Sequence, residues 1–417
     1  MIHSLDQKAL LSLLERPALR RLLEVFNGRA EETRIVGGAV RNALLGRTVT
    51  EVDCTTTMLP DAIVQRAQDA GFKAVPTGIE HGTITVIVGG EPFEITTLRE
   101  DVETDGRHAV VHFGHDFVKD AKRRDFTINA LSLGLDGKLH DYTGGVADLA
   151  ARRVRFIGDA QTRIREDYLR ILRFFRFHAE YAEGDPDPEG LAASGAGRQG
   201  LDILSKERIR HEIMKLLVAR RAEETIRVVA EHGFLPWLLD GVAEFGRFSR
   251  IAAADRGNPA PIWRLAALGV MVEEDAERLR ERLRLSNDEH RGLLAYARLL
   301  EALKSRSLPL DAMAIRRLVA DHGPETLGMV LAATEGEPSP GVLPDAREAL
   351  DRFRSGEEPV PVFPLRGADL VEGGVPKGPK IGEHLARARQ AWLSEGCRTD
   401  EAYAKDLLRR ILEQTGA

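Results

Sequence analysis

The hydrophobic pattern of the chain changes once, near residue 150, and this change constrains the fold more than any other feature. Before it, short β-branched runs such as "TITVIV" and "FEITTL" alternate with stretches of helical periodicity. After it, helical periodicity continues to the last residues. The sequence therefore predicts an α+β fold, in which a head with a mixed sheet is followed by an all-α neck, body and tail.

The length of the chain predicts several domains. Its 417 residues exceed what one hydrophobic core usually supports. The predicted division is a head (1–150), a helical neck (151–235) and a helical body and tail (236–417). Proline and glycine punctuate regular structure, and the segments rich in them are interpreted as joints or surface loops: 183–200, 255–261, 334–345 and 354–367.

Charge and cysteine content narrow the class of protein. The net charge of −6 argues against a chain that is basic throughout. Residues 151–180 nevertheless carry eight arginines against four acids, and residues 205–221 carry six basic residues against two acids. Such segments suit either nucleic-acid binding or a solvated helix face. Two cysteines are too few for a disulfide framework, and no apolar run reaches the roughly 20 residues that span a bilayer. We expect a cytoplasmic protein without a membrane segment.

A glycine turn and a pair of acids give the first indication of chemistry. Gly37 and Gly38 follow the strand-like run "RIV" and open a helical segment, where backbone N–H groups and Arg41 could meet a phosphate. Glu51 and Asp53 lie one position apart in "TVTEVDCTTT", interpreted as a strand, so both side chains would share one face. Such a pair also describes the solvated side of an ordinary strand. Together, the turn and the acids predict metal-assisted phosphoryl chemistry.

The stretch "GGAVRNALLGRTVTEVD" resembles the signature GGxVRDxLLGRxxxDxD of the CCA-adding tRNA nucleotidyltransferases and bacterial poly(A) polymerases, the class II branch of the polymerase-β-like nucleotidyltransferases. Later stretches are similar to the later motifs of that family in the same order: "RRDFTINAL", "HDYTGGVADL", "REDYLRILRFFRF", "SKERIRHEIMKLL" and the tail segment "PLRGADLVEGGVPKGPKIGEHL". The resemblance covers nearly the whole chain. It implies a nucleotidyltransferase head with a polymerase-β-like palm, tRNA as partner, CTP and ATP as substrates and two Mg²⁺ ions as cofactors.

By this resemblance, Glu51 and Asp53 hold the metal ions that activate the primer 3′-hydroxyl and the triphosphate. Glu94 in "FEITTL" is the nearest further strand acid, and it is either a third catalytic carboxylate or a solvated strand position. The chain departs from the family pattern at Asn42 and Glu51, where the pattern has aspartate. Asn42 keeps hydrogen bonding without the charge. Glu51 keeps the charge on a longer side chain, and we expect a working Glu-x-Asp site.

Asp167 and Arg170 lie three residues apart in "REDYLRILRFFRF" and are expected to be neighbours on one helix. An aspartate accepts from an exocyclic amino group and an arginine donates to a ring acceptor, so the pair would accept cytosine and adenine and reject guanine and uracil. An ordinary surface ion pair is the alternative. The resemblance favours base reading, because the pair matches the family's EDxxR motif, and it extends nucleotide binding to Arg173 and Arg176.

The "RRDFTINAL" stretch supplies further candidate ligands for the nucleotide. Arg123 and Arg124 suit phosphate, Asn129 suits the ribose 2′-hydroxyl, and Asp125 could orient an arginine or the loop before it. The preceding charged segment, 100–122, is expected to be a long mobile loop. It resembles the flexible loop that CCA-adding members need for switching from C to A addition.

The resemblance implies addition of C, C and A to the tRNA 3′ end from CTP and ATP, without a nucleic-acid template. A poly(A) polymerase would share the fold and chemistry, but such members have a "GRRF"-like stretch where this chain has "TGIEHGT" (77–83). Enzymes that add only CC or only A stay open as alternatives, as does a tRNA-binding protein whose catalytic head has decayed. No obligate protein partner is expected.

Overall fold

The chain forms two compact units, residues 1–234 and 235–417. All predicted site residues belong to the first unit. The predicted domain boundaries at residues 150 and 235 stay a prediction. The computed structural model describes the following residues: 5–28, 30–104, 109–255, 257–339 and 341–415.

Strands occur only in the first unit, as far as the described residues extend. They are β1 Thr33–Val36, β2 Asp53–Thr56, β3 Lys73–Gly78, β4 Thr83–Val88, β5 Glu91–Thr97, β6 Arg99–Thr104, β7 Ala109–Phe113, β8 Ser132–Leu133 and β9 Leu139–His140. Seven of them form one sheet in the order β3-β4-β5-β2-β1-β8-β9, and β6 and β7 form a separate hairpin. The β2–β5 ladder is parallel and the other ladders of this sheet are antiparallel, so the sheet is mixed, as the sequence predicts.

Helices surround the sheet and continue beyond it in the first unit. They are α1 Gln7–Leu14, α2 Pro17–Phe26, α3 Gly38–Leu44, α4 Pro60–Asp69, α5 Phe117–Lys122, α6 Gly145–Ala150, α7 Ala160–Glu166, α8 Leu169–Tyr181, α9 Pro188–Gly197, α10 Lys206–Leu217 and α11 Ala222–Glu231. Short 3₁₀ helices span Ile79–His81, Thr127–Asn129 and Arg198–Ile203. The helix α12, Phe234–Leu239, spans the boundary between the units.

The second unit is helical throughout its described residues. Its helices are α13 Phe245–Ala254, α14 Pro261–Gly269, α15 Glu273–Leu283, α16 Asn287–Lys304, α17 Ala312–His322, α18 Pro324–Ala333, α19 Pro344–Ser355, α20 Gly367–Glu372, α21 Pro379–Ser394 and α22 Glu401–Thr415. Near the C-terminus, α20, α21 and α22 pack around the fully buried Trp392. The predicted all-α character after the head is confirmed. No helix among the described residues is both long and apolar enough to cross a membrane.

The strands β1 and β2, at the centre of the seven-stranded sheet, are buried except where β2 begins, and the facing position of β5 is exposed as well. Cys54 of β2 and Ile95 of β5 are register partners with 1% and 0% of their surface exposed. The preceding register pair, Asp53 and Glu94, is exposed, because successive strand residues point to opposite faces. The Asp53 and Glu94 carboxylates are thus presented together at the exposed start of the otherwise buried strand β2.

The helix α8 is joined to the head by aromatic side chains. Phe177 lies 5.2 Å from Phe126, and Phe174 lies 5.4 Å from Phe156, measured between ring centroids. Pairs of this kind contribute about 0.5–1.5 kcal/mol each beyond the area that they bury. Since Phe126 immediately precedes the turn that carries Asn129, these contacts fix α8 relative to that turn.

The "HDYTGG" segment forms a corner that supports the same turn. The carboxylate of Asp141 accepts hydrogen bonds from the backbone N–H groups of Thr143–Val146 at 2.8–3.1 Å, and so begins α6. Gly145 lies against the backbone of Thr127, where an added Cβ would stand 2.3 Å from the carbonyl oxygen. This position therefore has no space for a side chain, and α6 packs closely under Thr127–Asn129.

One predicted strand is shorter than expected. The sequence predicts a strand through "TVTEVDCTTT", but β2 begins at Asp53, so Glu51 precedes it. The reason is the length of its antiparallel neighbour: the β1–β2 ladder ends with Val36 opposite Asp53, and the chain turns at Gly37 immediately afterwards. Residues before Asp53 therefore have no partner on β1.

The segment 100–122 is not a loop throughout. β6 and β7 pair as an antiparallel hairpin, and α5 follows, capped by the carboxylate of Asp116. Residues 105–108 lie outside the described part of the chain. The mobility of this segment stays a prediction. The strands β4 and β5 also form an antiparallel hairpin, and its turn contains Gly89 and Gly90, both with positive φ, +60° and +88°.

Candidate functional site

Three carboxylates gather at the exposed edge of the central strands. Asp53 opens β2 and is the register partner of Glu94 on the parallel strand β5. Partial burial raises the pKa of Asp53, the negative charges of Glu94 and Glu51 raise it further, and Arg124 opposes them. The carboxylates therefore repel one another, and a cation placed between them would relieve that repulsion.

This donor set suits a cation that also binds a ligand. Among the described residues, no group of three or more His, Cys, Asp and Glu side chains is arranged to hold a metal ion. The three carboxylates at this edge therefore do not form a closed cage of protein ligands. Mg²⁺ is commonly bound by one or two carboxylates together with substrate phosphates. The chemistry of the donors fits such an ion.

The predicted glycine turn lies beside this edge. Gly37 has φ +63°, which favours glycine, and its N–H donates to the carbonyl of Leu131 at 3.0 Å. An added Cβ at Gly37 would lie 3.4 Å from Nη1 of Arg124, and one at Gly38 would lie 3.5 Å from Nη2 of Arg41. The turn therefore brings its backbone next to two guanidinium groups.

Arg123 and Arg124 are held by one buried acid. Asp120, 2% exposed, accepts from Nε of Arg123 at 2.8 Å and from Nη2 of Arg124 at 3.1 Å. Burial alone would raise the pKa of Asp120, but Arg124 and Arg123 together hold it below its ordinary value. Asp120 stays ionised, and it fixes both arginines at the start of the "RRDF" turn.

A chain of buried polar contacts runs from α3 to α8. Arg41 donates to the side-chain oxygens of Asn129 and, at 2.7 Å, Tyr181. The amide nitrogen of Asn129 donates to Asp125 at 3.1 Å, and Asp125 accepts from Nε of Arg173 at 2.7 Å. Arg41, Asn129 and Asp125 are all buried. The expectation that Asp125 orients an arginine is confirmed.

The chain of contacts continues to α10. Glu212, 3% exposed, accepts from Nε of Arg176 at 2.5 Å, and it lies 3.8 Å from Nη1 of Arg173. The guanidinium groups of both arginines also lie over the ring of Phe177, at 5.2 and 4.4 Å from its centroid. Arg173 and Arg176 are therefore held in one orientation before any ligand arrives.

The predicted helix through Asp167 is interrupted. α7 ends at Glu166 and α8 begins at Leu169, and Asp167 between them has an extended backbone with φ −156° and ψ 106°. Its Oδ1 accepts from the N–H of Leu169 at 3.1 Å. An aspartate at a helix start satisfies N–H groups that have no partner within the helix. The expected i,i+3 geometry on one continuous helix is wrong, although both residues lie at the same corner.

Asp167 and Arg170 are held by different partners. Arg208 on α10 donates to Oδ2 of Asp167 at 2.7 Å. Arg170 donates to Glu166 at 2.5 Å and to the carbonyl of Arg163 at 2.9 Å. None of the described ion pairs joins Asp167 to Arg170, so these two side chains do not neutralise each other.

Sequence reasoning missed three residues that hold this site together: Asp120, Tyr181 and Glu212. A signal existed for Glu212, because it shares the apolar face of α10 with Ile209 and Ile213, and an acid on such a face requires a buried partner. The sequence carries no comparable signal for Tyr181, which ends α8 as one more large residue on a buried face.

Comparison with known proteins agrees with the geometry. Residues 33–155 match a family model described as "Poly A polymerase head domain", and residues 186–245 match "Probable RNA and SrmB- binding site of polymerase A". The mitochondrial CCA tRNA nucleotidyltransferase 1 of Mus musculus is 36% identical over 404 residues, which cover 95% of this chain and 90% of the relative. The CCA-adding enzyme of Lactobacillus gasseri is 31% identical over 406 residues, 94% of this chain and 96% of the relative.

Solved structures share the architecture. The Bacillus stearothermophilus CCA-adding enzyme, crystallised with CTP, superposes with a TM-score of 0.73 at 26% identity and covers 96% of this chain and 99% of its own. The Thermotoga maritima CCA-adding enzyme, complexed with tRNA, gives a TM-score of 0.67 at 20% identity over the full length of both chains, a likeness of fold alone. With relatives above 30% identity that align along almost all of its length, the chain belongs to the family of CCA tRNA nucleotidyltransferases, the CCA-adding enzymes.

Proposed function

We propose that this chain adds C, C and A to the 3′ end of tRNA, using CTP and ATP without a nucleic-acid template. One observation carries the proposal: the segment 123–129 lies beside both halves of the candidate site. The positive charge of Arg124 acts to lower the pKa of Asp53, and the carbonyl of Arg123 accepts from Arg170 at 3.5 Å. The segment 123–129 therefore connects the carboxylates that suit a metal ion with the side chains of the α7–α8 corner that suit a base.

Membership of the family implies use of a divalent metal. We assign the metal as two Mg²⁺ ions held by Glu51 and Asp53, with Glu94 as a further acid beside them. The pKa of Asp53, raised first by its partial burial and then by the negative charges of Glu94 and Glu51, supports this assignment. When bound, Mg²⁺ supplies a Lewis acid that activates the primer hydroxyl and stabilises the charge developing on the leaving group.

The proposed reaction is an in-line displacement. The 3′-oxygen of the tRNA attacks the α-phosphorus of the bound nucleotide, the bond to the bridging oxygen of the β-phosphate breaks, and pyrophosphate leaves. Arg123 and Arg124 bind the triphosphate in this proposal, together with the backbone at Gly37 and Gly38. Asp120 supports that role, since it fixes both guanidinium groups.

The α7–α8 corner selects the base in this proposal. Asp167 accepts from the exocyclic amino group of cytosine or adenine, and Arg170 donates to the adjacent ring acceptor. Arg173 and Arg176 bind the rest of the nucleotide. Asn129 was predicted to sense the ribose; because its amide already joins Arg41 to Asp125, we assign it a supporting contact from the same turn.

The products formed on a tRNA that lacks its 3′ CCA test the proposal. Extension by two nucleotides with CTP alone and by three with CTP and ATP together is expected. Long tails formed with ATP alone would instead identify a poly(A) polymerase, an activity that the matching head domain also permits. Products that stop after CC, or that need a CC end to start, would identify a partial enzyme.

The Asp53→Ala variant separates catalysis from binding. It should incorporate no nucleotide yet bind tRNA as the parent protein does, measured by filter binding. The matched control is Asp69→Ala, which removes an exposed carboxylate on α4 that accepts only from its own helix neighbour Gln65 among the described contacts. Unchanged incorporation by Asp53→Ala would refute the metal assignment, and an inactive parent protein that binds tRNA would support the decayed-head alternative.

We also propose that the protein works in the cytoplasm. The two described cysteines, Cys54 and Cys397, are free and buried, which suits a reducing compartment. Cell fractionation tests this proposal, and recovery with an organelle would contradict it.

A further inference from the structure

The environment of Arg41 is unusual for a buried cation. Its side chain is 6% exposed, and burial lowers its pKa below the ordinary value for arginine. Among the described residues, no carboxylate lies within ion-pair distance of its guanidinium group. A buried charge without a direct counter-charge is costly, so other groups must stabilise it.

Neutral oxygens and aromatic faces take the place of a carboxylate. The Tyr181 hydroxyl accepts from Nη2 at 2.7 Å, and the side-chain oxygen of Asn42 accepts from Nε and Nη2 at 3.2 Å. The Tyr181 hydroxyl also lies 3.5 Å from that Asn42 oxygen. The guanidinium group stacks over the Tyr181 ring at 4.0 Å and lies 5.3 Å from the Phe177 ring.

The position of Arg41 is transmitted to the nucleotide-binding side of the site. Arg41 donates to the Asn129 oxygen, the Asn129 amide donates to Asp125, and Asp125 orients Arg173. The oxygen and nitrogen of the Asn129 side-chain amide are held in one plane, so a rotation that follows Arg41 breaks the hydrogen bond to Asp125. Asn129 therefore couples these two contacts. A shift of Arg41 should therefore misplace Arg173.

We infer that Asn42 and Tyr181 are a matched pair of positioning residues: together they replace a carboxylate as the partner of Arg41, and through Asn129 and Asp125 they hold Arg173 in place for the incoming nucleotide. Asn42 is one of the two departures from the family signature, and Tyr181 ends α8 directly opposite it. This inference rests on the proposed function, because it assigns Arg173 to nucleotide binding.

Four proteins test the pair: the parent chain, Tyr181→Phe, Asn42→Asp and the double variant. Tyr181→Phe keeps the stacked ring and removes the hydroxyl. It should weaken CTP binding and raise KM for CTP and ATP about tenfold, or about 1.4 kcal/mol, the size of one hydrogen bond to a charged group, with kcat nearly unchanged. Asn42→Asp alone should stay within about threefold of the parent protein.

The double variant is the decisive protein. The new carboxylate of Asn42→Asp would pair directly with Arg41, so it should restore KM to within about threefold of the parent value in the Tyr181→Phe background. If Tyr181→Phe only made the fold less stable, the fraction of active protein would fall. The apparent kcat would then fall as well, with KM unchanged. Tyr296→Phe is the matched control, because it removes the hydroxyl of a fully buried tyrosine in α16 of the second unit, outside this chain of contacts. Its KM should not move.

CTP affinity is measured with Mg²⁺ and no tRNA, so that binding is read apart from incorporation. An unchanged affinity in Tyr181→Phe would overturn the inference, as would a double variant no better than Tyr181→Phe. A parent protein that binds CTP and shows this pattern, yet extends no tRNA, would overturn the proposed function and support the inference. A parent protein that binds no CTP would overturn both.

Discussion

Charge repulsion among acids is the main electrostatic property of the sheet edge. Asp53 and Glu94 are direct register partners on parallel strands, and both are exposed. Glu51 precedes the strand and still contributes to the raised pKa of Asp53. At the residue scale, Glu51 differs from Asp53 in position as well as in side-chain length, because it lies before β2 and has no register partner on β1.

The Glu51 variants test this reading. Glu51→Gln removes the charge but keeps the length, and it should lower kcat about 10²-fold, as expected for a metal misplaced by a fraction of an ångström to one ångström. Glu51→Asp restores the family residue and should stay within about tenfold of the parent rate. Single-turnover incorporation with CTP measures both. Equal activity of Glu51→Gln and the parent protein would contradict a metal-binding role.

His178 should make stability depend on pH. It lies on α8, 2% exposed, and burial with help from Arg221 lowers its pKa to about 4. Between pH 6.5 and pH 4 the unfolded histidine binds a proton that the folded one does not, so stability falls as the pH falls through this window. The total loss is about 3 kcal/mol. Urea unfolding at several pH values between 7 and 4 measures the free energy of unfolding of the parent protein and of His178→Leu. In the variant, this free energy should fall less steeply as the pH falls. The same pH dependence in both proteins would contradict the prediction.

At the element scale, the turn Thr127–Asn129 is supported from two sides. The rings of α8 hold Phe126, and α6 packs under the carbonyl of Thr127. The "HDYTGG" motif acts through this packing, because Asp141 begins α6 and Gly145 permits its close approach. We therefore assign this motif to support of the site rather than to contact with substrate.

Gly145→Ala tests the support that α6 gives. Its Cβ would meet backbone atoms of Thr127, which cannot move without displacing the turn, and the expected cost is about 1–3 kcal/mol of stability with a higher KM for CTP. Thermal unfolding and steady-state kinetics measure the two effects. Gly195→Ala is the matched control, since a Cβ at that position in α9 has no neighbour within 4 Å and should be neutral or stabilising by about 0.5–1 kcal/mol. Equal behaviour of the two variants would disprove the packing argument.

At the scale of the whole molecule, the candidate site is contained in one of the two compact units. The carboxylates, the "RRDF" turn and the α7–α8 corner all lie within residues 1–234. Nucleotide binding without tRNA should therefore order the first unit selectively. The second unit, residues 235–417, contributes none of the predicted nucleotide ligands.

Hydrogen exchange with and without CTP and Mg²⁺ tests this division. At a CTP concentration about 100 times Kd, the bound state gains about 2.7 kcal/mol, and protection should rise in segments such as 123–129 and 163–181. Peptides from the second unit should exchange unchanged. Equal protection across both units would show that nucleotide binding is coupled to the whole chain.

Local pattern alone determines a large part of this protein. The glycine turn before α3, the hairpin at Gly89 and Gly90, the helix α4 and the loss of strands after the head follow from near-neighbour periodicity and turn chemistry. The motifs predict the family, because they occur along the chain in the order that the family shows. These features depend on residues close in sequence, so local sequence patterns are enough to predict them.

Only the tertiary structure decided how the site residues divide their work. Arg41 and Asn129 are candidate ligands by motif, yet both are buried, Arg41 donates to Asn129, and Asn129 donates to Asp125. Asp167 lies between α7 and α8 and accepts from the N–H of Leu169, an interruption that a continuous helical pattern conceals. The partnership of Asn42 with Tyr181 joins residues 139 positions apart. Side-chain pairing over such distances depends on how helices pack, and packing is a property of the whole fold rather than of any stretch of sequence.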